Sequence, residues 1–169
     1  MSFLAFTLTQ IAGLAYALVG GVFLAFSDFI MRSLARTSGA GGVEAMQVIN
    51  REVFRWIFMT LFIGLAPASL LLAGYGLLFV GDGPGITFAL AGLIYFVGCF
   101  VVTVLFNVPM NEALARLETG SDAARTYWVE TYLPRWTRWN TVRAVACAIA
   151  SALLTFGLLW QAQVQAHVI

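Results

Sequence analysis

The chain has 169 residues, of which 61% are hydrophobic and only 10% are charged, and its formal net charge is +1. This composition is too apolar for a soluble domain of this size and does not point to nucleic acid as a partner, so we expect an integral membrane protein surrounded by lipid bilayer. Four segments without Asp, Glu, Lys or Arg are long enough to cross a hydrocarbon core, which needs about 20 apolar residues. The predicted fold is an all-α four-helix bundle, a single transmembrane domain over residues 1–169 with spans at about 3–32, 53–80, 85–108 and 135–163.

The first apolar segment is predicted to be a retained membrane helix. No basic residues precede it, and it is longer than the apolar core of a signal peptide, so we do not expect cleavage. The sequence "TSGAGG" (residues 37–42) then predicts a flexible turn, and helical periodicity resumes over residues 44–55.

The remaining connections differ in length. The sequence "GDGPG" (residues 81–85) predicts a tight turn that joins spans two and three as an antiparallel hairpin. The sequence "SDAARTYWVETYL" (residues 121–133) predicts a short amphipathic helix between spans three and four, with Ser121 as its N-cap. Cys99 and Cys147 fall inside predicted spans, where buried free thiols are expected rather than a disulfide.

The arginines predict the orientation of the bundle. The chain has no lysine, and its nine arginines lie only between or at the edges of spans one and two, and between spans three and four. The turn between spans two and three carries only Asp82, and the tail after span four carries only His167. The positive-inside rule therefore predicts that both arginine-bearing connections are cytoplasmic and that both termini lie on the outer face of the inner or plasma membrane.

Membrane helices pack through small residues, so a stripe of small residues predicts the face turned toward the bundle. The four stripes, each followed to its polar end, are Gly13, Ala17, Gly21, Leu24 and Asp28; Leu71, Gly64, Ile57 and Asn50; Gly92, Cys99, Thr103 and Asn107; and Ser151, Ala150, Cys147, Ala146, Arg143, Asn140, Trp139 and Trp136. The predicted topology brings all four polar ends to the cytoplasmic side. We therefore expect a polar, aromatic-rimmed pocket at that end of the bundle.

Two interpretations of the charged pair in this pocket stay open. Asp28 and Arg143 could form a structural ion pair between spans one and four, or they could bind a ligand, since an ionisable group facing a membrane bundle is a functional candidate. Asp28 could instead pair with Arg32 one turn away. The side chains of Trp56, Tyr127, Trp128 and Arg138 are predicted to be interfacial anchors, because none lies on a stripe.

Three segments carry a resemblance to a known family. The sequences "NVPMNEAL" (Asn107 to Leu114), "WVETY" (Trp128 to Tyr132) and "WTRWNTVR" (Trp136 to Arg143) resemble the anthrone oxygenase-like family of small four-span membrane proteins, long catalogued as a domain of unknown function. "FSDFIMRSL" and "AMQVINREVF" (residues 26–34 and 45–54) also resemble its early segments. The matching residues are Asn107, Pro109, Asn111, Trp128, Tyr132, Trp136, Asn140 and Arg143.

The resemblance implies a monooxygenase that oxidises a flat, polyketide-type aromatic molecule with O2 and without a cofactor. In outline, the candidate catalytic residues are Arg143 and Asn140, which would favour a substrate anion, and Asp28 as the base. The candidate substrate-binding residues are Asn50, Asn107, Asn111, Tyr132, Trp136 and Trp139. Pairing with arginine would make Asp28 a poor base, so its two roles compete.

The alternative is a non-enzymatic membrane protein that binds a lipid or quinone, or an accessory subunit in which the polar cluster only holds the helices together. Either protein could form an oligomer. His167 is the sole histidine, so a metal or haem site built from histidines of one subunit is not expected.

Overall fold

The computed structural model describes residues 1–166, so the predicted tail residue His167 lies outside the described part of the chain. The described residues form helices and no strand. In chain order the helices are α1 (Phe3–Leu34), α2 (Gly41–Glu52), α3 (Trp56–Val80), α4 (Asp82–Ala115) and α5, which begins at Asp122 and is described as far as Ala166. All but α2 are long and apolar enough to cross a membrane. The prediction of an all-α fold with four membrane-spanning helices is therefore confirmed.

Helices α4 and α5 extend further than the predicted spans. Each continues past a proline, Pro109 or Pro134, through a stretch of wider π-helix, Thr103–Asn107 in α4 and Tyr127–Tyr132 in α5. A π-helical turn displaces the carbonyl groups that would otherwise meet the proline ring. The amphipathic helix expected between spans three and four is not seen as a separate element, because Asp122–Thr126 leads directly into the rest of α5.

The predicted inward face of α1 is right at Gly13, but it is wrong by one position from Ala17 onward, because Ala17, Gly21, Leu24 and Asp28 are exposed. The buried face is formed by Gly13, Tyr16, Gly20 and Phe23, whereas Leu24 of the predicted stripe is 59% exposed. Glycine allows a close approach at Gly20, where an added Cβ would meet Cys147 of α5, whereas at Gly13 an added Cβ would be in ordinary contact with Leu154. The small-residue rule favoured Ala17 and Gly21, but large aromatic side chains fill the interior of this bundle.

The predicted stripe of α3 also faces outward. Ile57 and Leu71 are 78% and 75% exposed, and the packed face instead carries Phe62, Leu65 and Ser69. By contrast, the inward faces predicted for spans three and four are confirmed by burial at their central positions, which include Gly92, Cys99, Asn107, Asn140, Arg143, Cys147 and Ala150.

The buried side chains form two clusters. One fills the half of the bundle that contains the α3–α4 turn, where the rings of Tyr16 and Tyr95 stack at 4.6 Å and the hydroxyl of Tyr16 lies 2.6 Å from that of Ser69. The other, which includes Met31, Met46, Leu114, Trp128, Tyr132 and Trp136, lies where α1 and α4 end and α5 begins. We call this second region the arginine-bearing end. The outer surface of the four long helices is covered by exposed apolar side chains, as contact with a lipid bilayer requires.

Neighbouring glycines on α1 provide a test of its packing face. A Cβ added at Gly20 would lie 2.8 Å from the Cβ of Cys147, whereas one added at Gly21 has no atom within 4 Å. We expect Gly20→Ala to lower the free energy of unfolding by about 1–3 kcal/mol through overpacking. Gly21→Ala should cause no loss, because alanine favours helix over glycine. Thermal unfolding of both variants in the same detergent measures the difference, and equal effects would contradict the assigned face.

Candidate functional site

A cavity of about 530 Å³ lies toward the arginine-bearing end and is lined by residues from every helix. Most of its wall is apolar, with the aromatic rings of Phe23, Phe26, Phe58, Phe62, Phe100 and Trp136. Its volume falls in the range of roughly 300–1,000 Å³ that is typical of small-molecule sites. Of the predicted site residues, it brings together Asn50, Asn111, Trp136 and Arg143.

Arg143 is the charged group at the buried side of this cavity. It is only 5% exposed, and its guanidinium donates to Thr103 Oγ1 at 3.2 Å and to Asn140 Oδ1 at 2.7 Å. Its Cζ lies 4.1 Å from the ring centre of Phe23 and 5.3 Å from that of Trp136. Its Nε is buried and has no hydrogen-bond partner. The cation is therefore held by neutral groups and aromatic faces.

The predicted contact between Asp28 and Arg143 is not formed. Asp28 is exposed, and the two ion pairs among residues 1–166 are the surface pairs Arg55–Glu52 and Arg116–Glu112, so the alternative local pair with Arg32 is also not observed. The preceding residue, Ser27, points inward instead, because it lies four residues after the buried Phe23 on the same face of α1. A π-helical stretch over Phe26–Ile30 further changes the direction of side chains at this end of α1.

Asn140 positions the arginine and does not itself line the cavity. It is fully buried, and its amide nitrogen donates to the backbone oxygen of Phe23 and to Ser27 Oγ, both at 2.6 Å. Its oxygen accepts the bond from Arg143. Both protons and the oxygen of the amide are thus engaged, so Asn140 connects α1 to the guanidinium and has no free donor for a ligand.

Asn111 is the centre of a second polar network. Its Oδ1 accepts from the hydroxyl of Tyr132 at 2.7 Å and from the indole nitrogen of Trp136 at 2.8 Å, and Asn50 donates to the same tyrosine hydroxyl at 3.3 Å. Because an indole N–H can only donate, the amide oxygen must face Trp136. The Asn111 amide nitrogen makes no hydrogen bond to the described protein, and Asn111 is one of the residues that line the cavity.

Asn107 and Trp139 lie behind the cavity wall rather than in it. Asn107 is fully buried, and its nitrogen donates to the backbone oxygen of Trp136 at 3.3 Å while its Oδ1 has no partner. The ring of Trp139 stacks on Phe106 at 3.8 Å. Tyr132 also stands behind the wall, stacked on Trp136 at 5.9 Å. None of the three lines the cavity, but Asn107 and Tyr132 support it through their contacts with Trp136.

Some residues of this region were not recognised as site residues. Trp128, predicted to be an interfacial anchor, is 6% exposed and stacks on Tyr132 at 5.4 Å, whereas Trp56 is 85% exposed, as an anchor should be. Gln47 is buried and ties α2 to the carbonyl groups of Leu114 and Leu117. Glu112, which directly follows Asn111 in the sequence NVPMNEAL, also lines the cavity and was not predicted as a site residue.

Helical spacing could have predicted that Gln47 and Ser27 face the interior. Gln47 follows the buried Val43 by four residues on α2, and Ser27 follows Phe23 by four on α1. Nothing in the sequence distinguishes Trp128 from an interfacial tryptophan. Among the described residues, no three His, Cys, Asp or Glu side chains come together as metal ligands would.

The Asn111 network predicts a large effect of one substitution on stability. Asn111→Leu would remove the acceptor of both Trp136 and Tyr132, and each buried donor left without a partner costs about 1–3 kcal/mol. Asn50→Leu removes one long hydrogen bond from a half-buried side chain and should cost less than about 1 kcal/mol. Thermal unfolding in detergent compares the two, and an equally mild effect of Asn111→Leu would contradict this network.

The comparisons with known proteins bear on the same segment of the chain. The model of the anthrone oxygenase family matches residues 51–153, more than half of the chain, a range that begins just after Asn50 and contains Asn111, Trp136 and Arg143. No curated protein and no solved structure gave a match. With its four apolar helices and this match, the chain belongs to the anthrone oxygenase family.

Proposed function

We propose that the protein is a cofactor-independent oxygenase that converts an activated methylene of a flat aromatic molecule into a carbonyl group. One O2 is consumed: one oxygen atom enters the new carbonyl, and the other leaves as water with the two methylene hydrogens. The carbon loses four electrons and O2 gains four, so the reaction balances without a further reductant. The observation that carries the proposal is the aromatic-lined cavity of about 530 Å³, whose wall includes motif residues of the family-matched segment.

The cavity suits a planar apolar substrate. Trp136 offers an aromatic face beside the guanidinium of Arg143, and the phenylalanines of α1, α3 and α4 form much of the remaining wall. Stacked or edge-on aromatic contacts contribute roughly 0.5–1.5 kcal/mol each beyond the burial of area. Such a molecule also partitions into the bilayer that surrounds the protein.

Arg143 is proposed to stabilise the anion formed when the substrate loses a proton. This electron-rich anion is the species that can pass an electron to O2, and a cation in a site shielded from water stabilises it more than water does. Asp28 is not proposed as the base, because it does not line the cavity. Glu112 is the carboxylate that lines the cavity and becomes the candidate proton acceptor.

The arginine-bearing end is proposed to face the cytoplasm. The connection from α1 to α3 and the one from α4 to α5 carry the arginines, and the positive-inside bias favours the cytoplasm for such segments. The cavity would then open near the cytoplasmic leaflet.

Activity is tested with purified protein and an anthrone, by following oxygen uptake together with quinone absorbance. We expect one O2 consumed per quinone formed, and Arg143→Gln should lower kcat/KM about 10²–10³-fold through loss of the stabilised oxyanion. The matched control is Arg138→Gln, since Arg138 is an exposed arginine on the same helix and should keep wild-type activity. No turnover above buffer on several phenolic methylene substrates would contradict the oxygenase and favour a non-enzymatic lipid or quinone binder.

Orientation is tested with two single cysteines at exposed positions, Ser38→Cys between α1 and α2 and Gln163→Cys near the described end of α5. The native Cys99 and Cys147 are buried, so they should contribute little background. A membrane-impermeant maleimide added to intact cells should label Cys at position 163 and should reach position 38 only after permeabilisation. The reverse pattern would overturn the proposed orientation.

A further inference from the structure

We infer that the cavity is an anion site: Arg143 and the Asn111 amide together bind a single negatively charged oxygen group carried on an apolar body. The inference deepens the proposed function, since it concerns the state in which a ligand is bound at that same site. It does not require that turnover occur.

The first argument is the missing counter-charge of Arg143. Arg143 is only 5% exposed, and the two hydrogen bonds that its guanidinium makes to the protein go to a neutral hydroxyl and a neutral amide. Removing an ion from water is costly even after relaxation, and buried charges are therefore normally paired. The faces of Phe23 and Trp136 offset only part of this cost, because a cation–π contact is weaker than the hydration that the ion loses.

The protein does not supply the missing charge from nearby carboxylates. Asp28 is exposed, and among the described residues Glu112 is the carboxylate at the cavity wall. Its side chain is 61% exposed and pairs with Arg116 one helical turn away, at 3.7 Å. A negatively charged group on a bound ligand would neutralise the charge of Arg143.

The donors point to where that anion binds. The guanidinium of Arg143 has five N–H donors, and its hydrogen bonds to Thr103 and Asn140 use two of them. The Asn111 amide nitrogen has no partner in the described protein, and its oxygen is fixed by Trp136 and Tyr132. Trp136 links the two residues, because its indole nitrogen bonds Asn111 and its ring lies under the guanidinium. Arg143 therefore lies over the face of the Trp136 ring, and the Asn111 side chain lies at the edge of the same ring.

The rest of the wall limits the chemistry of the ligand. It is largely apolar and aromatic, so it favours a ligand whose charge is confined to one end. Two sources share this chemistry: an ionised hydroxyl on a fused aromatic ring system, and the carboxylate of a free fatty acid from the bilayer. A second anionic group placed among the phenylalanine rings of the wall would be desolvated without compensation.

The experiment uses a monohydroxyanthraquinone, whose visible colour changes on ionisation and which has no methylene to oxidise. With wild-type protein in detergent, we expect the pH of half-ionisation of the bound dye to fall by about 1–3 units relative to protein-free micelles, as a nearby cation requires. Arg143→Lys should retain most of this shift, and Arg143→Gln should abolish it. The control Arg138→Gln should behave as wild type.

Unsubstituted anthraquinone reports on the cavity itself, since it carries no ionisable group. Equal binding of it by wild type and Arg143→Gln shows that the glutamine variant keeps its fold. If that variant does not fold, the wild-type dye measurement still decides the question. A bound dye that ionises at the same pH as in protein-free micelles overturns the inference, as does an unchanged shift in a folded Arg143→Gln.

Competition identifies the source of the anion. Displacement of the ionised dye by a long-chain fatty acid, but not by its methyl ester, supports a site open to lipid carboxylates, and the absence of displacement by either supports aromatic hydroxyls alone. The readout is separate from catalysis. If the pH of half-ionisation of the dye falls but no oxygen is consumed with an anthrone, the anion site is supported and the oxygenase is contradicted. If oxygen is consumed but the pH of half-ionisation is unchanged, the oxygenase is supported and the anion site is contradicted.

Discussion

The organisation of this bundle depends on one buried cation that has no carboxylate partner in the described chain. Arg143 is held by Thr103 of α4 and Asn140 of α5, and Asn140 is in turn fixed to the backbone of Phe23 and to Ser27 on α1. Three long helices thus meet around a single guanidinium. Neutral groups can orient such a charge but cannot neutralise it, so the interior remains complementary to an anion.

The two ends of the bundle are packed differently. Toward the α3–α4 turn, the stacked Tyr16 and Tyr95 and the hydroxyl of Ser69 fill the centre, and α1 approaches α5 closely at Gly20. At the arginine-bearing end the short helix α2 packs beside the ends of the long helices. The cavity is lined by α2 together with the four long helices, and the apolar rings that line it continue the packed core.

The π-helical stretches have a shared role at the arginine-bearing end. Ser27 lies in the π-helical stretch Phe26–Ile30 of α1, and Asn107 lies in the stretch Thr103–Asn107 of α4. Tyr132 lies in the stretch Tyr127–Tyr132 of α5. Each of these side chains makes a polar contact that supports Asn140, Trp136 or Asn111. An extra residue in a helical turn changes the direction of the side chains that follow, and such turns are frequent at functional sites.

The sequence by itself determined the number of spans, the gathering of polar residues at one end and the burial of Asn107, Asn140 and Arg143, because apolar length and helical spacing in α4 and α5 are local properties. It predicted the wrong partner, Asp28 in place of Ser27, since a shift of one residue rotates a side chain by about 100° around a helix. Only the tertiary structure decided which of two adjacent small residues, Gly20 or Gly21, faces α5, and that Trp128 is buried while Trp56 is exposed. These outcomes depend on how close two helices approach and on where a π-helical turn is inserted, and both are settled by packing between segments distant in the chain.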